Sequence, residues 1–136
     1  MMKVCLASVI AATMLLASDR ECQSDRDKIV GCVEKEYYEN GKLMSETPYK
    51  DNKANGVDKM YYENGRLMGE ARYKNGKRNG VEKAYYSSSE PFADVIWNNG
   101  EITSAKCHNG SIPTSAQLHN FSKSDDLSDL CGETPH

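Results

Sequence analysis

Tyr37-Tyr38-Glu39-Asn40-Gly41 returns as Tyr61-Tyr62-Glu63-Asn64-Gly65, and no other feature narrows the possible folds of this chain as much. The match continues without a gap. Leu43-Met44 returns as Leu67-Met68, Tyr49-Lys50 as Tyr73-Lys74, and Asn55-Gly56-Val57 as Asn79-Gly80-Val81, so fifteen of twenty-four positions are identical. A fixed period of this length marks a tandem array in which each unit buries surface against its neighbour. Fainter echoes extend it: Val33 and Lys35 precede Val57 and Lys59, while Tyr85-Tyr86, Phe92 and Trp97 follow the second unit, and Ser89 stands where that unit has glycine.

Each unit holds two turn signals, Glu-Asn-Gly after the tyrosine pair and a second near Lys74-Asn75-Gly76-Lys77, separating runs with strand spacing. The expected fold is therefore all-β: an antiparallel β-hairpin array over residues 33–106, preceded by a cysteine-containing flank (19–32) and closed by a short helical or loop cap (107–136). Two registers compete. A two-residue Asn-Gly turn sets Lys59 opposite Glu70 and Lys83 opposite Asp94, pairs worth about 0.2 to 1 kcal/mol each. A three-residue turn with Gly65 left-handed instead puts Tyr61, Leu67, Val57, Ala71 and Tyr73 on one face, and burial of such side chains, at about 1.5 to 3 kcal/mol apiece, favours this register. It leaves Asp58 and Glu70 together on the other face, alongside a stripe of Tyr38, Met44, Tyr62, Met68, Tyr86 and Phe92.

The N-terminus reads differently. Met1-Met2-Lys3 and the apolar run Val4 to Ala17 have the form of a signal peptide over 1–18, too short to cross a bilayer comfortably as an anchor. Its removal leaves sixteen basic against twenty acidic residues, a net charge of −4 that argues against nucleic acid as partner. Four cysteines remain in a chain expected to be exported to a periplasm or secreted. Pairing Cys22 with Cys32 and Cys107 with Cys131 staples the two flanks, each bridge worth about 3 kcal/mol, although sequence alone allows three connectivities.

The Tyr-Tyr-Glu-Asn-Gly-Lys-Leu run, with Tyr-Lys-Asn-Gly-Lys and Asn-Gly-Val, resembles the variant MORN repeat of many bacterial proteins, over about residues 33 to 105. The resemblance implies an interaction scaffold of antiparallel hairpins. Some similar proteins are labelled antitoxin components of toxin–antitoxin systems, which keeps an antitoxin or immunity-like binding role as an alternative. The phospholipid binding linked with such repeats finds little counterpart in an acidic chain, so membrane contact is expected of the signal peptide alone.

In the C-terminal part, Thr114 and Gln117 are spaced as a capping box before Ala116, Leu118 and Phe121, which predicts a short helix covering one end of the array. Cys107, His108, His119 and Cys131 are zinc-ligand types, but their spacing lacks a Cys-x-x-Cys knuckle. Asp125, Asp126 and Asp129 lack the glycine-centred loop of a calcium site and read as a solvated tail. No nucleophile elbow, phosphate loop or dinucleotide fingerprint is present.

No catalytic residue, metal or cofactor is therefore expected. The sequence points to an exported, non-catalytic module that binds another protein through the Tyr38–Phe92 stripe, its oligomeric state open. An exported enzyme built on Cys107 and His108 is the remaining alternative.

Overall fold

A computed structural model describes residues 20–136, and the expected leader at 1–18 lies outside the described residues. Among these, the strands are β1 (Cys32–Tyr37), β2 (Leu43–Lys50), β3 (Lys53–Ala54), β4 (Gly56–Tyr61), β5 (Leu67–Lys74), β6 (Lys77–Arg78), β7 (Gly80–Tyr85), β8 (Pro91–Asn98) and β9 (Glu101–Cys107). Helix α1 (Asp25–Val30) precedes them, and α2 (Ser115–Ser124) and α3 (Leu127–Cys131) follow. One antiparallel sheet runs β1-β2-β4-β5-β7-β8-β9, with β3 and β6 as short returns on β2 and β5. The hairpin array expected from the repeat is therefore the architecture.

Both turn signals act as turns. Gly65 closes the Glu-Asn-Gly loop at φ 84, and the Asn64 side-chain oxygen accepts from the Arg66 N–H at 2.9 Å. Asn75-Gly76, with φ 51 and 80, has the doubly left-handed backbone that matches strand twist in a two-residue hairpin.

The register combines the two alternatives. Tyr61 pairs with Leu67, as the left-handed Gly65 requires, but Met60 pairs with Gly69 and Lys59 with Glu70, so Met68 is an extra residue in a bulge. Met44 and Phe92 are skipped in the same way between β1 and β2 and between β7 and β8. The bulge restores the charge pairing that the three-residue turn alone removes. It also redistributes the faces, because one inserted residue inverts the side-chain alternation beyond it. Ala71 and Tyr73 thus share a face with Asp58, whereas Val57, Tyr61 and Leu67 lie on the opposite face with Glu70. The expected neighbourhood of Asp58 and Glu70 does not form.

That opposite face carries a complete ladder of alternating charge. Lys35, Glu46, Lys59, Glu70, Lys83, Asp94 and Lys106 are successive cross-strand partners over seven strands. Lys59 reaches Glu46 and Lys83 reaches Asp94 at 3.2 Å each, and the Tyr61 hydroxyl donates to Glu46 at 2.9 Å.

The other face holds the core and all three helices. Phe92, Val95 and Trp97 of β8 bury with Cys107, Phe121 and Leu130. Thr114 caps α2 in the expected box, accepting from the Gln117 N–H at 3.3 Å while Gln117 returns to the Thr114 N–H at 3.0 Å. Helices α2 and α3 pack on the face of the last strands rather than along the sheet edge, because the bulky side chains needing cover project from that face.

Both ends of the array are closed by mimicry of a repeat. The N–H groups of Gly76 and Gly100 donate to the carbonyls of Ala54 and Arg78 in the preceding units, each at 2.8 Å; that of Asn52, which has no preceding unit, donates to Lys28 of α1 at 3.0 Å. At the far end Tyr62 donates to the Tyr85 carbonyl, and Tyr86, which has no following unit, donates to the Glu133 carboxylate at 3.1 Å.

Disulfides tie down both closures. Cys22 is bonded to Cys32 and Cys107 to Cys131, with Cα separations of 5.1 and 5.8 Å.

Candidate functional site

The helix-bearing face is covered at its two ends and open between them. Helix α1 stands over β1 and β2, and α2 with α3 stands over the last strands, so the middle unit, β4 and β5, floors a saddle between the two caps. Three acids cross this face at the repeat period: Glu34, Asp58 and Glu82. Each lies near the aromatic ring of its own unit, Tyr49, Tyr73 and Trp97 respectively.

The outer two acids are supplied with cations. Lys28 of α1 reaches Glu34 at 2.6 Å and lies 4.6 Å from the centre of the Tyr49 ring. Arg78 of β6 stands 3.6 Å from Glu82 and 4.9 Å from the Trp97 ring centre, while the Trp97 indole N–H donates to Glu82 at 2.6 Å. Asp125, at the C-terminus of α2, accepts two hydrogen bonds from Arg78 at 2.6 Å each. Burial pushes the Glu82 carboxyl up, and the nearby Arg78 charge and Trp97 N–H pull only part of the way back.

Asp58 is different. It accepts one hydrogen bond from the Thr47 hydroxyl at 2.6 Å, and among the described residues it makes no ion pair. Burial raises its carboxyl above the ordinary range despite the Thr47 bond and the more distant Arg78. Met60, 48% exposed, and half-buried Met68 flank it.

The expected stripe divides here. Phe92 is 1% exposed, packed edge-on against Tyr86 with ring centroids 5.0 Å apart, so these two lie beneath the C-terminal cap rather than on an outer face. Phe92 is a bulge residue, and a bulge directs its side chain to the same side as the following inward residue, Ala93. Met68 sits at the equivalent bulge of an uncapped unit, and Met44 at that of the first. Tyr38 and Tyr62 are half-buried, their hydroxyls donating to the Tyr61 and Tyr85 carbonyls, so these side chains join adjacent units.

The Cys107 and His108 region offers little to catalysis. With Cys107 bonded to Cys131, neither sulfur is available as a thiolate nucleophile or zinc ligand. The His108 ring lies 3.4 Å from Asp94 on the ladder face. Among the described residues no group of three His, Cys, Asp or Glu side chains is arranged to hold a metal ion.

Sequence reading missed Lys28, Asp58, Arg78 and Glu82 as a set. The signal was present: Glu34, Asp58 and Glu82 recur at the repeat period, but the bulge that decides their face cannot be read from composition.

Residues 33–51 and 54–75 match the family model described as the MORN repeat variant. These two segments are MORN-variant repeats. The third hairpin, β7 with β8, lies beyond the matched residues and keeps the register of the MORN units, including the bulge at Phe92. No curated protein matches the chain.

Proposed function

We propose that this chain is an exported, non-catalytic MORN-variant module that binds another protein through the saddle between its caps. The observation that carries this reading is the half-exposed methionine surface of the middle unit, left open on a face whose two ends are closed. Methionine adapts to irregular partner surfaces, and apolar area without cover marks contact sites. The opposite face is less suited to selecting a partner, because its alternating charges already neutralise one another.

Of the stripe, Tyr38, Met44, Tyr62 and Met68 remain outside the C-terminal cap and belong to the proposed contact surface. Tyr86 and Phe92 support the cap instead. Export is supported by the leader-like N-terminus and by two disulfides, which fit an oxidising compartment.

The test is co-purification with oxidised residues 19–136 as bait, paired with intact-mass analysis of the exported protein. A discrete protein partner retained by this bait, and lost when Cys107 and Cys131 are both replaced by serine, is the expected result. Absence of any partner together with retention of Met1 in exported material would overturn the proposal.

A further inference from the structure

The acids of the three units obey one rule with one exception. Glu34 receives Lys28 and Glu82 receives Arg78, and each of these cations also lies over its unit's aromatic ring. Neither cation is a repeated residue: Lys28 belongs to the N-terminal cap, and Arg78 replaces the alanine found at Ala54 in the first unit. Asp58, in the middle, has among the described residues the Thr47 hydrogen bond and no ion pair. Arg78 also faces the Tyr73 ring of the middle unit, 5.8 Å from its centre, and donates to the Tyr73 hydroxyl, but its remaining donors go to Asp125 and Glu82 and it makes no ion pair with Asp58.

The surroundings of Asp58 define what would complete it. A hollow of about 190 Å³ beside it has an apolar wall of Met60, Met68, Phe121 and Leu127 and a charged rim in which Asp58, Glu70, Glu82 and Asp125 outnumber Arg78 and Lys83. This is smaller than the roughly 300 to 1,000 Å³ of small-molecule pockets and suits a single anchoring side chain. Among the described residues no three acid, histidine or cysteine side chains converge as metal ligands, here or elsewhere. An apolar wall with acids in excess at its rim, Asp58 among them without an ion pair, fits the long aliphatic stem and charged head of lysine or arginine.

We infer that the saddle receives a lysine or arginine from a partner protein, its charged head on Asp58 and flanking apolar residues on Met60 and Met68. This rests on the proposed interaction role and specifies the chemistry of the partner segment. The partner cation takes on Asp58 the place that Lys28 takes on Glu34 and Arg78 on Glu82, the Tyr73 ring being already faced by Arg78. The carboxyl raised by its burial gains a counter-charge on binding, which concentrates affinity at one residue.

The experiment titrates the oxidised protein with a short amphipathic peptide of alternating lysine and leucine blocks, read by fluorescence anisotropy. The same peptide with glutamate for lysine, and one with serine for leucine, are the controls. The lysine–leucine peptide is expected to bind, the controls at least about tenfold more weakly, and Asp58→Asn and Met60→Gln are each expected to lose at least about tenfold in affinity. Val81→Gln, on the ladder face, leaves binding unchanged. Thermal melts of each variant separate lost binding from lost fold. No binding of the lysine–leucine peptide, equal binding by Asp58→Asn, or equal binding of the glutamate peptide overturns the inference. Binding lost in Val81→Gln but kept in Asp58→Asn overturns it while leaving an interaction role on the other face, and the co-purification result judges that role independently.

Discussion

The Tyr62 hydroxyl donates to the Tyr85 carbonyl oxygen at 2.7 Å, joining one unit to the next across 23 residues of chain. Tyr38 makes the same bond to Tyr61, and Tyr86 turns to Glu133 where the array ends. The second tyrosine of the first two pairs is thus an inter-unit tie, and that of the third ties the array to the C-terminal segment.

Tyr62→Phe keeps the ring and removes the tie. The expected cost is about 0.5 to 1.5 kcal/mol by denaturant unfolding, the net worth of one such hydrogen bond. Tyr86→Phe, whose partner is an exposed carboxylate, is expected to cost less.

Phe121 is the side chain through which the C-terminal cap enters the core, its ring centroid 6.3 Å from that of Trp97. Phe121→Ala is expected to destabilise the protein by about 3 to 5 kcal/mol, as truncation of a buried aromatic does. Reduction of both disulfides should add to this, because the bond from Cys107 to Cys131 closes a loop of 24 residues, worth about 3 kcal/mol. Thermal melts with and without reductant measure both.

Ser89 stands at φ 76 where the two preceding units have Gly41 and Gly65 at φ 80 and 84. A left-handed backbone strains a residue with a Cβ by about 1 to 2 kcal/mol, part of which glycine returns as unfolded-chain entropy. Ser89→Gly is therefore expected to stabilise by up to about 1 kcal/mol. A melt that is unchanged or lower would show the third turn to be shaped by its neighbours instead.

The Asp58 carboxyl is raised chiefly by burial, with the Thr47 hydrogen bond and then Arg78 of β6 opposing, and with Asp125, the C-cap of α2, and Glu36 of β1 adding to the rise. The folded protein therefore holds this proton to higher pH than the unfolded chain, whose carboxyl titrates near the ordinary aspartate value of 3.8. Stability from this group is present below that value and is lost as pH rises through the raised folded value. Asp58→Asn keeps an acceptor for Thr47 and cannot ionise. It is expected to melt higher than the parent protein at neutral pH, with the difference shrinking as pH falls toward 4. A variant that melts lower at neutral pH would mean that the charge is favourable in the free protein, leaving nothing for a partner to relieve.

Much of this architecture was legible in the sequence because the repeat exposes it. The recurrence of Tyr-Tyr-Glu-Asn-Gly marks the hairpins, Thr114 with Gln117 marks α2, and the placement of the cysteines outside the repeats favours, among three open connectivities, the two disulfides that form. The faces were not legible. A left-handed Gly65 gives one register and an Asn-Gly pair another, and only the bulge at Met68 lets the chain adopt both in succession. That single inserted residue moves Ala71 and Tyr73 away from Val57 and puts Asp58 on the opposite face from Glu70. Helix α1 also escaped notice, since its six residues bury no side chain of their own and act through the Lys28 carbonyl and ammonium.

Site-specific photo-crosslinking of the full chain in its native cells tests the contact saddle most directly, with the crosslinker at position 60 in one variant and at position 81 in another. A discrete protein adduct from position 60, abolished by adding Asp58→Asn and absent from position 81, is the predicted result. Adducts from position 81 with none from position 60 would contradict it.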